Sequence, residues 1–280
     1  MSRLVSYNLG KMGAPAKSAV ACPATLSRAA EVLRELRGDG FTTTVALQEV
    51  TSEQDLRQLA LQSGYQNAVF VATNDPTNHH LGFLSTGPLE NLESHADRTF
   101  LVQGQMRRFT RDVASVGLEV LPGQKGRFYN SHLKADPWYL APTTPEKKAQ
   151  AVQVRGAEAG ELRQIVLEDM QRYQVEHHVV GLDANAPPQA EELKTLPGID
   201  PLAPEVASHP GRGIRLDAVR LSAILAGGVA AAFVHDSAAA RLASDHLPVV
   251  VDLGSAHPVA VAPGGQGLGP HLGGTAATRG

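Results

Sequence analysis

The sequence predicts an α+β fold, a sandwich of four layers in which two packed β-sheets are flanked by helices. Short apolar segments alternate with amphipathic segments along the chain, which is the pattern of α/β and α+β layering. Strand-like segments outnumber helical ones, and several follow one another with no helix between them. Two packed sheets explain this better than one doubly wound sheet. With 280 residues, of which 42% are hydrophobic, the chain can bury a core of this size.

The predicted strands are short apolar segments that end at polar or turn-forming residues. In chain order they are Leu4–Asn8, Thr44–Glu49, Asn67–Val71, Leu81–Ser85, Arg111–Glu119, Gly126–His132, His178–Leu182, Asp217–Ser222, Ala231–His235 and Val249–Leu253.

Three segments have the periodicity of amphipathic helices. In Thr25–Leu36, apolar residues recur at helical spacing. Ser52–Ser63 begins with a serine that can cap the first turn. Pro145–Gln171 is long, and its apolar face is formed by Val152, Leu162, Ile165, Val166 and Met170.

The domain organisation follows from composition. Residues 1–254 contain all the predicted elements and are expected to form one domain. Residues 255–280 are rich in glycine, proline and alanine, and carry almost no charge or large apolar residues. Such a segment cannot bury enough surface to offset its ordering entropy, so we expect it to be disordered.

Several features bear on the compartment. No stretch approaches eighteen uninterrupted apolar residues, so no transmembrane helix is predicted. The first residues already have strand character, and no secretory signal is recognised. The single cysteine, Cys22, cannot form an intramolecular disulfide. We therefore expect a cytoplasmic protein, and we expect it to be a monomer.

The charge of the chain is nearly balanced, with a formal net charge of −3. Between Arg98 and Arg163, however, there are eleven Lys and Arg residues against six Asp and Glu residues. This local excess could attract a polyanion. It could equally be a solvated surface with ordinary ion pairs, and the sequence leaves both interpretations open.

Six short segments place polar, metal-competent residues at strand ends. Each of them alone has a structural explanation, because Asn and Asp commonly end strands and a single histidine usually has a structural role. The six segments are Tyr7–Gly10, Ala46–Val50, Asn130–Leu133, Val179–Asn185, Arg215–Val219 and Ser244–Val249.

Together, the six segments indicate phosphate chemistry. Hard cations such as Mg²⁺ prefer oxygen ligands, which carboxylates and amides supply. Hydrolysis of a phosphodiester also needs a base for the attacking water and donors for the growing negative charge. Asp217 is a carboxylate that could hold a histidine ring and favour its imidazolium form. The oxygen ligands would be Asn8, Glu49, Asp183, Asn185 and Asp245, the base Asp183, and the donors His132 and His246.

In order and in character, the six segments resemble those of the endonuclease/exonuclease/phosphatase superfamily, which contains deoxyribonucleases, exonuclease III-like enzymes and neutral sphingomyelinases. The resemblance covers Leu4 to about Leu253, and its most specific parts are Leu47–Val50 and Ser244–Val249. It implies two mainly antiparallel sheets packed face to face. One departure is Leu182, which stands where the superfamily usually has glycine before the aspartate.

The resemblance also implies roles for the site residues. Asn8, Glu49 and Asp245 would lie around a Mg²⁺ or Mn²⁺ ion. Asp183 and Asn185 would position or activate the attacking water and hold the phosphate. The remaining residues would contact the phosphate or take part in acid/base catalysis, with one of them orienting another: His132, Asp217 and His246.

The sequence gives less information about the substrate than about the catalytic residues. Asn130 lies in a catalytic segment, Arg215 lies on a glycine-rich loop where it could touch a phosphate, and Trp138 could stack on a base. His79 and His80 could reach the rim of the site. The leading hypothesis is a nuclease acting on DNA or RNA. The alternatives are a phosphodiesterase or phosphatase of a small or lipid-derived ester, and a catalytically silent binding module.

Overall fold

The computed structural model describes residues 1–10, 21–136 and 144–254. Within these ranges the chain forms thirteen strands and five α-helices. The strands are β1 (Ser2–Asn8), β2 (Thr42–Val50), β3 (Asn67–Val71), β4 (His80–Ser85), β5 (Glu90–Ser94), β6 (Thr99–Val102), β7 (Gln105–Arg108), β8 (Val113–Leu121), β9 (Gln124–His132), β10 (His177–Asp183), β11 (Asp217–Leu221), β12 (Val229–Val234) and β13 (Val249–Leu253). The helices are α1 (Pro23–Leu36), α2 (Glu53–Ser63), α3 (Pro145–Tyr173), α4 (Ala223–Ala226) and α5 (Ala238–Ala243).

Two sheets carry the fold, and together they contain eleven of the thirteen strands. The first sheet has the order β12-β13-β1-β2-β4-β3, and the second has the order β11-β10-β9-β8-β5. Each sheet contains one parallel pair, β1 with β2 and β9 with β10, and its other pairs are antiparallel. The predicted mainly antiparallel architecture is therefore confirmed. Strands β6 and β7 form a separate hairpin.

Three apolar clusters separate the four layers. Helices α1, α2 and α5 pack on the outer face of the first sheet, where Leu33 and Leu56 meet Leu47. The two sheets pack against each other through a second cluster, which includes Leu4, Phe83, Val116 and Phe128. Helix α3 covers the second sheet through Leu162 and Val166, which pack with Val180. The predicted four-layered sandwich is confirmed.

Local signals account for the helix boundaries. Ser52 caps α2 by accepting a hydrogen bond from the backbone N–H of Asp55, as its position predicts. The helix ends at Gly64, which adopts a left-handed conformation that glycine tolerates. Thr144 caps α3 in the same way, through the N–H of Lys147. The apolar face of α3 differs in one respect from the prediction, because Val152 is exposed and Val154 is buried instead.

All ten predicted strands and all three predicted helices are present, with boundaries that shift by a few residues. The elements that the sequence did not reveal are short: β5, β6, β7, α4 and α5. Four to six residues hold too few apolar positions to show a period, and β5 is largely exposed. The helices of the described residues include none long and apolar enough to span a membrane. The predicted tail, residues 255–280, lies outside the described residues.

The topology positions the polar strand ends. In a parallel pair, the carboxyl ends of both strands lie at the same edge of the sheet. Strands β1 and β2 therefore bring Asn8 and Glu49 to one edge of the first sheet. Strands β9 and β10 bring His132 and Asp183 to one edge of the second. Because the sheets pack face to face, these two edges border the same end of the sandwich.

Candidate active site

A cavity of about 580 Å³ lies at this end of the sandwich. Its walls come from both sheets and from the loops that follow their strands. Most of the side chains that line it are polar or charged. The polar residues along its walls are Glu49, Asp75, Thr77, His79, Thr110, Arg111, His132, Lys134, Asp183, Asn185, His209, Arg212, Asp245 and His246.

Glu49 reaches the cavity from an irregular point in β2. The pairing of β2 with β4 shifts between Gln48 and Val50, and Glu49 has a φ of 58°. A glutamate at positive φ is strained, and such strain persists where the surrounding structure imposes it. A bulge of this kind re-aims one side chain out of the regular alternation. Glu49 thereby presents its carboxylate to the cavity, while Gln48 and Val50 remain buried.

Asn8 links the carboxylates of the two sheets. Its amide nitrogen donates to Oδ2 of Asp183 at 2.8 Å and lies 3.4 Å from Oε1 of Glu49. Its side-chain oxygen accepts a hydrogen bond from the backbone N–H of Gly10 at 2.9 Å. Asn8 is fully buried. These contacts make it a positioning residue, and its place among the metal ligands still rests on the resemblance alone.

Asp183 is the last residue of β10, which lies between β9 and β11 in the second sheet. It is the register partner of His132 on one side and of Asp217 on the other. Partners in register project from the same face of a sheet. Burial raises the pKa of Asp183, although the charge of His246 opposes this. A carboxylate with a raised pKa is a better general base near neutral pH.

Asp217 and His246 form a buried pair. Nδ1 of His246 lies 2.8 Å from Oδ2 of Asp217, which also accepts a hydrogen bond from the hydroxyl of Ser208 at 2.6 Å. Burial alone would lower the pKa of His246, but the charges of Asp217 and Asp183 raise this pKa to about 10. His246 is therefore an imidazolium at neutral pH, and its Nε2 lies 3.9 Å from Oδ2 of Asp183.

His132 lies on the other side of Asp183 and is neutral, whereas His246 is cationic. Its Nε2 lies 3.3 Å from Oδ2 of Asp183. Burial lowers the pKa of His132 well below its ordinary value, and the positive charge of Arg111 acts in the same direction. The site thus holds one neutral and one cationic histidine about a single carboxylate. This arrangement can accept a proton on one side and stabilise negative charge on the other.

The surroundings of Leu182 accommodate a leucine directly before Asp183. Leu182 is buried beneath α3, on the face away from the cavity. Gly181 faces the first sheet, and a Cβ there would lie 2.9 Å from Cε2 of Phe128 and 3.0 Å from Cβ of Ala46. Glycine is therefore needed at 181 for the close approach of the sheets. Strand β10 runs in register through Asp183.

Asn185 follows in a turn with a φ of 51°. Its backbone N–H donates to Oδ1 of Asp183 at 2.8 Å, and its amide donates to the carbonyl of Leu133 at 3.0 Å. The turn holds the Asp183 carboxylate in place. Asn185 also lines the cavity, where it is available to a ligand.

Asp245 and His209 border the other side of the cavity. Nε2 of His209 lies 3.4 Å from Oδ2 of Asp245, whose side chain is 64% exposed. The rings of His209 and His246 are 4.9 Å apart. The sequence analysis missed His209. The available signal was its place beside Ser208, in the loop that leads to Asp217.

A second group that the sequence analysis did not assign lies on the loop between β3 and β4. Asp75 pairs with Nε of Arg111 at 3.0 Å and with Nδ1 of His79 at 3.1 Å. Burial alone would raise the pKa of Asp75, but hydrogen bonds from His79 and Thr77 and the charge of Arg111 hold it well below its usual range. Of the two histidines expected near the rim, His79 lines the cavity. His80 packs against Phe70.

The three predicted substrate contacts have different outcomes. Asn130 is buried between the sheets, donates to the carbonyls of Leu47 and Gly82 at 2.9 Å, and is not among the cavity's lining residues. Arg215 is also buried away from the cavity, because its guanidinium pairs with Asp200 at 2.7 Å. The expectation that these two side chains touch substrate is corrected accordingly. Trp138 lies outside the described residues.

The donors present suit a divalent cation. Carboxylate, amide and imidazole groups converge on the cavity, as hard and borderline divalent ions require. Among the described residues, two sets of three donors lie within 4.8 Å of one another: His209, Asp245 and His246, and Asp183, Asp217 and His246. The Oε2 atom of Glu49 faces the imidazole of His79 at 3.7 Å. The residue types fit a metal, and they do not identify which one.

Comparison with solved structures identifies the fold of this chain. The catalytic domain of human Nocturnin with bound sulfate superposes with a TM-score of 0.63 at 17% identity, covering 90% of this chain and 94% of that chain. The chain has the endonuclease/exonuclease/phosphatase fold. A protein described by that name from Beutenbergia cavernae gives a TM-score of 0.58 at 20% identity, with 90% and 71% coverage. The resemblance drawn from the six segments is confirmed at the level of the fold.

Other structures with the endonuclease/exonuclease/phosphatase fold are similar to the chain. Sphingomyelinase C from Streptomyces griseocarneus has a TM-score of 0.55 at 14% identity, and covers 89% of this chain and 98% of its own length. No family model matches the chain, and no curated protein matches its sequence. At these identities the likeness concerns the fold, so the chemistry has to be argued from the residues in the cavity.

Proposed function

We propose that the chain is a divalent-metal-dependent hydrolase of phosphate esters that uses water as the nucleophile. One observation carries the proposal: the buried carboxylate of Asp183 lies between a neutral histidine and a cationic histidine at the wall of a polar cavity. Hydrolysis of a phosphate ester needs a base and a cationic donor at one centre. Both are preorganised here by contacts within the protein.

The proposed reaction assigns separate roles to several residues of the cavity. Asp183 accepts the proton of the attacking water, and Asn8 and the N–H of Asn185 hold its carboxylate. His246 donates from Nε2 to a phosphoryl oxygen and keeps its charge because Asp217 holds Nδ1. A divalent ion, Mg²⁺ or Mn²⁺, would polarise the phosphoryl oxygen. The residues proposed to hold it are Asn8, Glu49 and Asp245.

The leading substrate class is a phosphodiester of DNA or RNA. Lys134 lines the cavity directly after the second-sheet segment that ends at His132, where it can contact a phosphate that flanks the scissile one. Phosphate contacts from such residues position a nucleic acid without reading its sequence. Cleavage would then proceed by in-line attack of water on the phosphorus.

The second candidate is a small or lipid-derived phosphate ester, and a specific observation favours it. The basic excess between Arg98 and Arg163 is largely neutralised by the protein's own carboxylates. At least six of its eleven basic residues form ion pairs: Arg98, Arg108, Arg111, Lys125, Arg127 and Arg155. Of the two interpretations of this excess, ordinary ion pairs fit the structure better than a polyanion surface.

A substrate panel tests the proposal. The purified chain would be assayed with Mg²⁺ and with Mn²⁺ against plasmid, single-stranded DNA, RNA, bis-nitrophenyl phosphate, nitrophenyl phosphate and sphingomyelin. Cleavage of nucleic acid supports the nuclease, and turnover of sphingomyelin or of monoesters alone supports the second candidate. No turnover of any ester with either ion would favour a silent binding module and reject the proposed function.

A further inference from the structure

His79 stands opposite Glu49 at the wall of the cavity. It lies at the end of the loop between β3 and β4, directly before β4. Its side chain is 18% exposed and lines the cavity. The proposed reaction does not use this side chain. Its contacts show, however, that Nδ1 is held by the protein and that Nε2 is turned to Glu49.

The hydrogen bonds of Thr77 and Asp75 determine the tautomer of His79. The hydroxyl of Thr77 donates its proton to Oδ1 of Asp75, so the Thr77 oxygen can only accept from the imidazole. That oxygen lies 2.5 Å from Nδ1 of His79, and Oδ2 of Asp75 lies 3.1 Å from the same atom. With two acceptors facing it, Nδ1 carries the proton. In the neutral ring, Nε2 then has its lone pair available.

The available nitrogen points at a carboxylate oxygen. Nε2 of His79 lies 3.7 Å from Oε2 of Glu49, which is too far for a hydrogen bond. The other oxygen of Glu49, Oε1, is the one near the Asn8 amide. Two ligands of one ion, each about 2.0–2.2 Å from it, stand about 3.0–3.5 Å apart. The observed distance of 3.7 Å between Nε2 and Oε2 would fall near this range if the two atoms moved together by a few tenths of an ångström.

We propose that His79 is a metal ligand and that Nε2 of His79 and Oε2 of Glu49 hold the same divalent ion. The inference rests on the metal dependence of the proposed function and adds a nitrogen ligand to it. Asp75 is then the partner that orients the ligand, in the carboxylate–histidine–metal arrangement common in proteins. Imidazole suits Mn²⁺, Co²⁺ and Zn²⁺ better than Mg²⁺. With this nitrogen ligand, the site would favour a transition-metal ion over Mg²⁺.

Mn²⁺ binding to the full chain tests this directly. Continuous-wave electron paramagnetic resonance would give the Mn²⁺ affinity, and pulsed measurements would detect coupling to an imidazole ¹⁴N. For His79→Gln we expect the affinity for Mn²⁺ to fall by at least ~10-fold and the ¹⁴N coupling to be lost or reduced. Asp75→Asn should weaken binding and leave the ¹⁴N coupling in place. His235→Gln is the matched control, because His235 pairs with Glu35 away from the cavity.

The outcomes separate this inference from the proposed function. If His79→Gln melts like the wild type and keeps both its Mn²⁺ affinity and the ¹⁴N coupling, His79 is not a ligand and the inference fails. Ester hydrolysis by the wild type in Mg²⁺ would leave the proposed function standing in that case. If the wild type binds neither Mn²⁺ nor Mg²⁺, the inference and the metal dependence fail together. An unchanged Mn²⁺ affinity with a raised KM for the ester would instead assign His79 to the phosphate.

Discussion

His132 and Asp183 are register partners at the carboxyl ends of the parallel strands β9 and β10, and Nε2 of His132 lies 3.3 Å from Oδ2 of Asp183. The pairing is a consequence of topology, since parallel strands end at the same edge. On the other side of Asp183, Asp217 is its partner in the antiparallel neighbour β11. Three polar strand ends thus lie side by side on one sheet, and the first prediction concerns the central one.

Replacing Asp183 with Asn should remove the base and leave the fold intact. Asn keeps the size of the side chain, and a positioned base is typically worth ~10²–10⁴-fold in rate. We expect kcat on bis-nitrophenyl phosphate to fall by that factor, with an unchanged melting temperature within a few degrees. Asp39→Asn, on the exposed surface, is the control. Near-normal turnover in Asp183→Asn would remove Asp183 from the proposed mechanism.

The pair of Asp217 and His246 predicts a change in pH dependence. Although burial lowers it, the pKa of His246 is raised to about 10, mainly by Asp217 and Asp183. The cationic form therefore persists across neutral pH in the wild type. In Asp217→Asn the pKa should fall, so that activity declines as pH rises through a value closer to the ordinary one.

Two measurements check this prediction. Histidine resonances followed by nuclear magnetic resonance report the protonation of His246 directly, and the pH–rate profile reports its effect on turnover. His246→Ala, which removes the donor itself, should lose turnover by orders of magnitude at every pH. An alkaline limb that stays in the same place in Asp217→Asn would show that Asp217 does not control the charge of His246.

Glu49→Gln should raise the metal requirement. The amide keeps the shape of the side chain at the strained bulge and removes the negative charge that attracts the cation. We expect the metal concentration for half-maximal activity to rise by ~10-fold or more. Calorimetric titration with Mn²⁺ would check the affinity independently of turnover. Glu53→Gln, at the exposed start of α2, should leave both values unchanged.

Two glycines should respond in opposite ways to alanine. At Gly181 a Cβ would lie 2.9 Å from the ring of Phe128, and overpacking of this kind costs ~1–3 kcal/mol of the free energy of unfolding. At Gly160, in α3, nothing lies within 4 Å of the added Cβ, and alanine in a helix gains ~0.5–1 kcal/mol over glycine. Urea unfolding would measure both. A neutral Gly181→Ala would mean that Phe128 and Ala46 can make room for the added methyl group at no cost.

Asn130→Ala should reduce stability and leave substrate affinity alone. The amide of Asn130 satisfies the buried carbonyls of Leu47 and Gly82, and its oxygen accepts from Gln48 at 2.8 Å. Buried groups left without partners cost ~1–3 kcal/mol each. We expect a lower unfolding midpoint in urea, with KM unchanged under conditions where the variant is folded. A raised KM with normal stability would restore Asn130 to the substrate.

Much of the fold was predictable because it depends on local patterns. Because successive side chains of β1 point to opposite faces, Leu4 joins the core between the sheets and Val5 joins the core under the helices, and both belong to an apolar run that is visible in the sequence. The polar strand ends were visible for the same reason, because each ends an apolar run. Their roles in chemistry stay predictions until the variants above are measured.

His209 and Asp75 could not be found in this way, and His79 was expected only at the rim of the site. Each lies on a loop, and no spacing relates it to the strand ends that it approaches. Asn130 and Arg215 show the converse error. Both stand next to site residues in sequence, but their own side chains are buried in contacts with Gly82 and Asp200. Asn130 lies on β9 two residues before His132 and further from the strand's end, and Arg215 precedes β11, so proximity in sequence does not place a side chain in the cavity.

The sequence by itself determined the layers of this protein and the residue types at the ends of its strands, because hydrophobic periodicity and strand-ending polar residues are local properties. Only the tertiary structure decided which of these residues face one another. The parallel pairs and the packing of the two sheets bring Asn8, Glu49, Asp183 and His246 to one cavity, and the bulge turns Glu49 toward His79. Such contacts depend on pairing over long separations in sequence, and no local pattern encodes them.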